Sequence, residues 1–282
     1  TGTNNAEPIQ VKINRAEYLT DIRKIEVGEQ HIIALRKDGT VWTWGYNGNG
    51  QLGNNTTTNS SFAVQVLSPD GTEYLTDVSD ITAGNNYSVA VKKDKTVYSW
   101  GVNTNYCLGV NDTTARYIPI KMHNTENVIT AKAGATTTAV LKSDGTVWVV
   151  GLGTNGQMGD NGILTRTELV QTTNKEHTGP LTGIVNINTS ANAVIALQKD
   201  KTALVWGINT NGQLGNNSTT RTQFPIPLVG PNNTGIMENI VSIGTAPISI
   251  YVELEDGKIY GAGLNSTGQL SLGNVTTTIK VF

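Results

Sequence analysis

A repeated unit, present five times, limits the fold of this chain more than any other feature of its sequence. In every copy an aspartate stands seven residues before a glycine, and successive glycines are 56, 50, 56 and 56 residues apart. The aspartates are Asp38, Asp94, Asp144, Asp200 and Asp256, and the glycines are Gly45, Gly101, Gly151, Gly207 and Gly263. Tandem units of this length indicate a stack of similar supersecondary structures.

Within one copy the residues follow the pattern of β-strands. In the first copy an apolar run over residues 32–36 is followed by Asp38 and Gly39 and then by a run over residues 40–44, rich in β-branched and aromatic side chains. Two such runs around an Asp-Gly pair predict a tight hairpin, because glycine accepts the positive φ that the turn needs. Copies two and four carry Lys95 and Lys201 in place of this glycine, which predicts a different turn type or local strain.

Two further apolar runs, over residues 62–67 and 78–82, bring each copy to four short strands, and no stretch shows helical periodicity. The sequence therefore predicts an all-β chain, a β-propeller of four-stranded blades with five full repeats. We treat residues 1–282 as a single domain. Its repeat cores are residues 25–55, 81–111, 130–161, 185–217 and 240–274.

A second motif carries a resemblance to a known family. Copy one reads Trp-Gly-Tyr-Asn-Gly-Asn-Gly-Gln-Leu-Gly over residues 44–53, and copy four reads Trp-Gly-Ile-Asn-Thr-Asn-Gly-Gln-Leu-Gly over residues 206–215. Together with the Ala-Gly pairs at residues 83–84 and 133–134, this resembles the repeat of the regulator of chromosome condensation (RCC1-like) family, of bacterial or phage type. The resemblance extends over essentially the whole chain, and it implies a propeller that is typically seven-bladed.

Three copies depart from the motif. Cys107 takes the place of the glutamine in copy two, and Val150 and Ala262 take the place of the tryptophan in copies three and five. Copy five also has Glu253 where an apolar residue is usual. This degeneracy predicts that the last blade has a different neighbour or lies at a chain end.

The number of blades stays open at the level of sequence. Residues 1–13 and 276–282 both resemble the stretch that follows the Gln-Leu-Gly of each copy, so the chain holds five full units and a further copy of one outer strand. Either the chain is a fragment of a larger, seven-bladed ring, or a smaller ring closes by pairing the two ends of the chain.

Composition narrows the classes of function. Charged residues make up 15% of the chain and the net charge is −2, without the clustered positive patch that phosphate binding needs. No apolar run is long enough for a transmembrane helix, and the single cysteine, Cys107, excludes an internal disulfide and a thiolate-rich metal site. We therefore predict no cofactor, no metal, no nucleic-acid partner and no membrane span.

Catalytic signals are scarce. The sequence contains no Gly-x-Ser-x-Gly setting, no His-x-x-x-His pair and no acidic calcium loop. The five repeat aspartates stand beside glycine or lysine in predicted hairpins, where aspartate forms the turn. We predict that the chain is not an enzyme and that the repeat aspartates and glycines are structural.

The resemblance also implies where a partner binds. The sequence places the inner strand of copy one at residues 32–36. In the family, the loop before the inner strand lies on a binding face. Bacterial propellers that inhibit β-lactamases are similar in using this series of loops. The candidates in this chain are Gln30, His31, Asn86, Tyr87, Thr136 and Asn192. Only Tyr87 is aromatic, which disfavours tight binding through aromatic hot spots.

These observations predict a non-catalytic binding or structural module, a protein- or glycan-interaction scaffold of a bacterial surface, secreted or phage structural protein, with assembly into a larger complex as a further role. The Asn- and Thr-rich composition favours an extracellular, cell-surface or virion location, and the given sequence shows no signal peptide. Two alternatives stay open. One is a protein inhibitor of an enzyme such as a β-lactamase, and the other is a guanine-nucleotide exchange regulator of a small GTPase.

Overall fold

The computed structural model describes residues 7–271 and 278–279, and its regular elements there are β-strands apart from one 3-10 turn at Pro231–Asn233. The all-β prediction is confirmed. The first and last outer-strand segments predicted from sequence, and the end of the repeat core at residues 240–274, fall partly outside the described residues.

The chain divides into two compact units, of which the first comprises Thr1–Thr104 and Leu108–Ala133. Its strands are β1 (Ile22–Val27), β2 (His31–Arg36), β3 (Val41–Gly45), β4 (Ser60–Gln65), β5 (Val78–Ala83), β6 (Tyr87–Lys92), β7 (Val97–Gly101), β8 (Arg116–Lys121) and β9 (Val128–Ala133). Strands β1 to β4 form sheet 1 and strands β5 to β8 form sheet 2, each antiparallel and in chain order.

The second unit comprises Asn105–Cys107 and Gly134–Phe282. It contains β10 (Thr137–Lys142), β11 (Val147–Gly151), β12 (Arg166–Gln171), β13 (Ile184–Thr189), β14 (Ala193–Gln198), β15 (Ala203–Gly207), β16 (Thr222–Pro227), β17 (Ile240–Ala246), β18 (Ser249–Leu254), β19 (Ile259–Leu264) and β20 (Thr278–Ile279). Strands β10 to β12 belong to sheet 3, β13 to β16 form sheet 4, and β17 to β20 form sheet 5, again in chain order.

Each sheet begins one strand earlier than the unit read from the sequence. The run over residues 78–82, assigned to copy one, is β5 and opens sheet 2, because a loop of only three residues joins it to β6 as an antiparallel neighbour. First strands contact one another: β1 contacts β5, β5 contacts β9, and β13 contacts β17. The inner strand of a blade is the one that meets its counterpart in the next blade. The prediction that residues 32–36 form the inner strand is therefore wrong by one strand.

The core lies between neighbouring sheets, so the central strands are apolar on both faces. In the first unit Ile33 and Leu35 of sheet 1 pack with Val78 and Ile81 of sheet 2, and none of the four is more than 1% exposed. Burial of side chains of this size stabilises the fold by about 1.5–3 kcal/mol each. In the second unit the same kind of layer joins sheet 4 to sheet 5.

The repeat glycines stand at or near the end of the third strand of each sheet, with φ between 105° and 125°. At Gly45 an added Cβ would lie 2.6 Å from the carbonyl oxygen of Gln30. Both the positive φ and the close approach of the neighbouring strand require glycine there.

The repeat aspartates lie in the hairpin turns between second and third strands. In the second turn Asp94 Oδ1 accepts hydrogen bonds from the main-chain nitrogen of Thr96 at 3.0 Å and from its hydroxyl at 2.6 Å. The hydroxyl bond, followed by the main-chain bond, lowers the pKa of Asp94, because donors favour the charged carboxylate. The same bonds recur in the other turns that have Thr two residues after Asp, at Asp38, Asp144 and Asp200.

Lys95 and Lys201 keep the turn type that glycine gives in the other copies, because both have a positive φ, of 66° and 64°. A left-handed conformation costs a residue with a side chain about 1–2 kcal/mol. We expect Lys95→Gly to raise the free energy of unfolding by about 1 kcal/mol, since the strain relieved exceeds the entropy that glycine adds to the unfolded chain. Urea denaturation measures the change.

Lys201→Gly is the matched control. Lys201 forms an ion pair with Glu255, and glycine would remove this contact together with the strain. We expect a smaller gain than for Lys95→Gly. A lower stability of the Lys95→Gly variant would contradict this account of the turn.

Candidate functional site

Each antiparallel sheet has two chemically distinct ends. The loops between first and second strands and between third and fourth strands lie together at one end, which we call the loop end. The aspartate turn and the connection to the next sheet lie at the opposite end, which we call the turn end. The binding candidates predicted from sequence all fall at or beside loop ends.

Two of these candidates are buried. His31 and Tyr87 are the first residues of β2 and β6, and their side chains are 1% and 0% exposed. The strands begin one residue earlier than the apolar pattern indicates, so both residues belong to the packed layer between sheets. This burial disfavours the prediction that His31 and Tyr87 contact a partner from a loop.

Three other candidates are engaged in hydrogen bonds between loops. Asn86 Oδ1 accepts a hydrogen bond from Gln51 Nε2 at 3.1 Å, which joins sheet 2 to the loop end of sheet 1. Asn192 Oδ1 accepts one from Gln157 Nε2 and one from Thr136 Oγ1, both at 3.2 Å. These side chains position neighbouring sheets. Among the six candidates, Gln30 is the one classed as exposed.

The residues that hold sheets together come from the Gln-Leu-Gly motif. The main-chain carbonyl of Gln51, in the loop of sheet 1, accepts hydrogen bonds from Trp100 Nε1 and Ser88 Oγ of sheet 2, both at 2.9 Å. Its side-chain oxygen accepts the main-chain N–H of Asn49 at 3.0 Å. We call the bonds from Gln51 and its counterparts to the next sheet the glutamine latch.

The latch recurs in the second unit. The main-chain carbonyl of Gln157 accepts a hydrogen bond from Trp206 Nε1 at 3.0 Å. The side-chain oxygen of Gln157 accepts one from the Asn155 N–H at 2.8 Å. Cys107, in the same unit, occupies the glutamine position, and its carbonyl accepts Thr138 Oγ1 at 2.7 Å. A cysteine is tolerated because the acceptor is main chain. Burial raises the pKa of the Cys107 thiol to about 12, which keeps it a neutral space-filling group.

The glycine after Gln-Leu admits the tryptophan of the next sheet. An added Cβ at Gly53 would lie 2.7 Å from Trp100 Nε1, and one at Gly159 would lie 2.8 Å from Trp206 Nε1. Both glycines also have positive φ, of 65° and 66°. The motif thus combines a main-chain acceptor with a gap for the donor.

The asparagine of the Gly-x-Asn motif orders the long loop between third and fourth strands. Asn47 Oδ1 accepts the Leu52 N–H at 2.9 Å, while Asn47 Nδ2 donates to the carbonyls of Thr56 and Thr58 at 2.9 and 3.1 Å. Asn209 makes the same set of bonds in sheet 4. The loops are therefore fixed from within, while residues 55–59 remain exposed.

Loop ends and turn ends carry different chemistry. The exposed part of the loops is mainly Asn and Thr, as at residues 55–59 and 217–220. In two of these loops the charged side chains form an ion pair within the loop, Asp112 with Arg116 and Asp160 with Arg166. The turn ends instead expose the Lys and Asp residues of the hairpins, as at residues 93–95 and 199–201.

His31 is the buried titratable group at the seam between sheets 1 and 2. Ser88 Oγ donates to the Gln51 carbonyl, so it accepts a hydrogen bond from His31 Nε2 at 2.9 Å. His31 Nδ1 is buried without a hydrogen-bond partner among the described residues. Burial lowers the pKa of His31 to about 4, so the ring is neutral at physiological pH. His31 and Ser88 are 57 residues apart in the sequence, so a local sequence pattern does not predict that they form a hydrogen bond.

Neither a metal centre nor a membrane helix stands out in the described part of the chain. No group of three or more His, Cys, Asp or Glu residues there is arranged to hold a metal ion. None of the described elements is a helix long and apolar enough to cross a membrane.

Comparison with known proteins matches the repeats to one family description. Two family models, both described as the regulator of chromosome condensation (RCC1) repeat, match residues 38–91 and 94–141 and residues 22–51 and 78–107. The ultraviolet-B receptor UVR8 of Arabidopsis thaliana is 32% identical over 37% of this chain and 23% of its own length. The probable E3 ubiquitin-protein ligase HERC4 of Homo sapiens is 29% identical over 94% of this chain and 20% of its own.

Solved structures share the propeller fold. Prp20p from Saccharomyces cerevisiae aligns with a TM-score of 0.75 at 22% identity, over 92% of this chain and 64% of its own. Human WBSCR16 aligns with a TM-score of 0.76 at 18% identity, over 91% of this chain and 65% of its own. The chain spans less than a quarter of the length of the two curated relatives and under two thirds of the two solved chains.

A steric test of the latch compares two glycines with similar backbone. Gly159 and Gly235 have φ of 66° and 62°, but an added Cβ at Gly235 has no neighbour within 4 Å. We expect Gly235→Ala to cost about 1 kcal/mol through backbone strain alone. Gly159→Ala should cost about 2 kcal/mol more because its Cβ meets Trp206. Equal losses in thermal or urea unfolding would contradict the latch geometry.

The pKa of His31 predicts a pH dependence of stability. Its pKa is lowered from 6.5 to about 4, so the unfolded chain binds the proton more readily between those values. The free energy of unfolding should therefore fall as the pH drops from about 6.5 to 4, by at most about 3 kcal/mol from this group. Comparison of urea midpoints across this range measures the effect.

The control is His31→Thr, which places at this position the residue that sheet 3 has there as Thr137. The carboxylates are unchanged in this variant, so the difference between the two pH profiles isolates the histidine. Parallel profiles for the wild type and the variant would contradict a buried neutral His31.

Proposed function

Because residues 22–141 match models of the regulator of chromosome condensation (RCC1) repeat, we propose that the chain is a non-catalytic protein-interaction scaffold that binds its partner through the loop ends of its sheets. The observation that carries this proposal is the chemical difference between the ends. The loop ends expose ordered Asn and Thr side chains, whereas the turn ends expose Lys and Asp side chains, of which Lys93 and Asp77 form an ion pair.

Internal ordering of the loops favours recognition. Asn47 and Asn209 each fix a loop through three or more hydrogen bonds, so residues 55–59 and 217–220 lose little conformational freedom on binding. Rigid loops on a fixed scaffold reduce the entropic cost of association.

Neutral amide and hydroxyl groups define the kind of contact. Side chains such as Thr57 and Asn217 donate and accept hydrogen bonds without carrying charge. A partner surface of main-chain and neutral polar groups complements them, and the association should depend weakly on salt because few charges are screened.

Relatives support a protein partner. One solved structure shows yeast RCC1 (Prp20) bound to Kap60, and the study of Prp20p concerns its binding to Gsp1p and histones. Kap60, Gsp1p and histones are partners of the yeast protein. The likeness supports the use of this fold in protein recognition.

The absence of catalysis and an extracellular or surface location are parts of the same proposal. His31 is buried and neutral, and Cys107 is buried with a raised pKa, so neither is available as a base or nucleophile. The exposed Asn- and Thr-rich loops support a setting outside the cytoplasm, in a bacterial surface or phage structural protein.

A glycan is the second candidate partner, because Asn and Thr side chains can also form hydrogen bonds with sugar hydroxyls.

Inhibition of a β-lactamase loses support, since Tyr87, the aromatic residue of the expected loop series, is buried. Exchange activity on a small GTPase is tested by nucleotide release, and we expect no stimulation.

The experiment uses a photo-reactive amino acid in place of Thr57 or Thr219 at loop ends, with Lys93 and Lys199 at turn ends as matched controls. All four positions are exposed. The full chain is irradiated in an extract of its source cells at low and at high salt. We expect the same protein to be cross-linked from both loop positions at both salt concentrations.

Cross-linking from the turn positions alone, or its loss in high salt, would contradict the proposed surface. Cross-links that disappear after glycosidase treatment of the extract would favour the glycan instead of the protein.

A further inference from the structure

A cavity of about 410 Å³ lies beside β4, the outermost strand of sheet 1, within the first compact unit. Its volume is in the range of pockets that bind small molecules. Trp42 of β3 and Gln65 of β4, which are register partners, line the cavity. Leu67 and Tyr74, which pair with each other across the hairpin that follows β4, also line it. Consecutive elements of one sheet therefore build this cavity.

Two aromatic rings give the cavity an apolar surface. Trp42 packs against the buried cluster that contains Leu19 and Ala63, and its indole N–H donates to Thr40 Oγ1 at 3.3 Å. These contacts hold the indole in place. The Tyr74 side chain is 52% exposed, so a molecule in solution can reach it. One fixed ring and one exposed ring are thus available to the apolar face of a ligand.

Three polar groups at the cavity are available for hydrogen bonds. Asn54 Oδ1 accepts a hydrogen bond from Thr56 Oγ1 at 2.8 Å, which orients the amide, while Asn54 Nδ2 donates to no described residue. The Gln65 amide and the Tyr74 hydroxyl likewise form no hydrogen bond within the described ranges. Amide and hydroxyl groups of this kind can recognise a ligand that both donates and accepts.

The electrostatic character of the cavity is neutral. None of the eight residues that line it is charged. A charged ligand would lose hydration there without gaining an opposite charge, so the lining favours a neutral ligand. A neutral saccharide combines an apolar C–H face, which suits aromatic rings, with hydroxyl groups that match amides.

Sheets 3 and 4 hold only parts of this set. Trp148 and Gln171 are register partners in sheet 3, but Pro180 takes the place of the tyrosine in the hairpin that follows. In sheet 4 the tryptophan and glutamine positions hold Leu204 and Pro227. These two sheets therefore provide internal controls for the cavity of sheet 1.

We propose that this cavity is a binding site for a neutral saccharide. The C–H face of the sugar packs on Trp42 and Tyr74, and its hydroxyl groups form hydrogen bonds with Gln65 and Asn54. The site is separate from loop residues 55–59, which we assign to the partner surface. Loss of one assignment therefore leaves the other standing.

The test observes the indole N–H signals of the full chain by NMR after labelling its tryptophans with ¹⁵N. The chain has five tryptophans, and single Trp→Phe variants assign their signals. The probes are glucose, galactose, mannose, N-acetylglucosamine, maltose, cellobiose and lactose, each added up to tens of millimolar. We expect at least one of them to shift the Trp42 signal in a saturable manner. The Trp148 signal should stay unchanged, although its N–H donates to Thr146 in the same way.

Two substitutions locate the saccharide. Gln65→Leu should weaken binding about fivefold, the effect of one net hydrogen bond. Tyr74→Ala should weaken it about tenfold through loss of the aromatic contact. Gln171→Leu in sheet 3 is the matched control and should leave the dissociation constant unchanged. The dispersion of the indole signals in each variant confirms that its sheets are folded.

A Trp42 signal that none of these saccharides shifts overturns the proposal. Equal weakening by Gln65→Leu and Gln171→Leu, or unchanged binding in Tyr74→Ala, also overturns it. Glucuronic acid and a decaproline peptide are added as probes of a different chemistry. A response of the Trp42 signal to either of these, without a response to the neutral saccharides, would contradict the assigned class of ligand.

Discussion

A main-chain carbonyl, that of Gln51 or Gln157, accepts a hydrogen bond from the indole N–H of the next sheet, and the way these neighbouring sheets fit together depends on this bond. Four-stranded sheets of this size have two apolar faces and no core of their own, so each must be covered on both sides. Hydrophobic burial supplies most of the free energy, but it is not directional. The hydrogen bonds of the latch, with the glycine that leaves space for the tryptophan, fix which loop meets which sheet.

The contacts between neighbouring sheets are not all equivalent. Where one latch residue of the motif is replaced, its partners in the next sheet are replaced as well. Gln51 meets Trp100, Ser88 and Asn86, whereas Cys107 meets Thr138 in a copy that has Val150 in place of tryptophan. Between sheets 4 and 5 the tryptophan position holds Ala262 and the asparagine position holds Ile248, and among the described residues no hydrogen bond joins Gln213 to sheet 5. An apolar layer and the ion pair of Lys201 with Glu255 join these two sheets.

Local features of the fold could be read from the sequence, and non-local ones could not. The strands, the aspartate turns and the repeat glycines follow from neighbouring residues, as at Asp94 and Thr96. The sheet to which a strand belongs depends on pairing across loops, and the run at residues 78–82 was therefore assigned to the wrong sheet. The buried contact of His31 is with Ser88, 57 positions away. The joint presence of Trp, Gln and Asn in adjacent copies, and their joint loss around Cys107, is the signal that could have revealed the latch.

Native-state hydrogen exchange of the amides in β6 and β18 tests the central claim most directly. Both are second strands in the middle of a four-stranded sheet, but β6 lies behind a complete latch and β18 does not. The account predicts that β18 opens at a lower free energy than β6 and that the two strands exchange in separate steps. Equal protection of the two strands, lost in a single step, would contradict it.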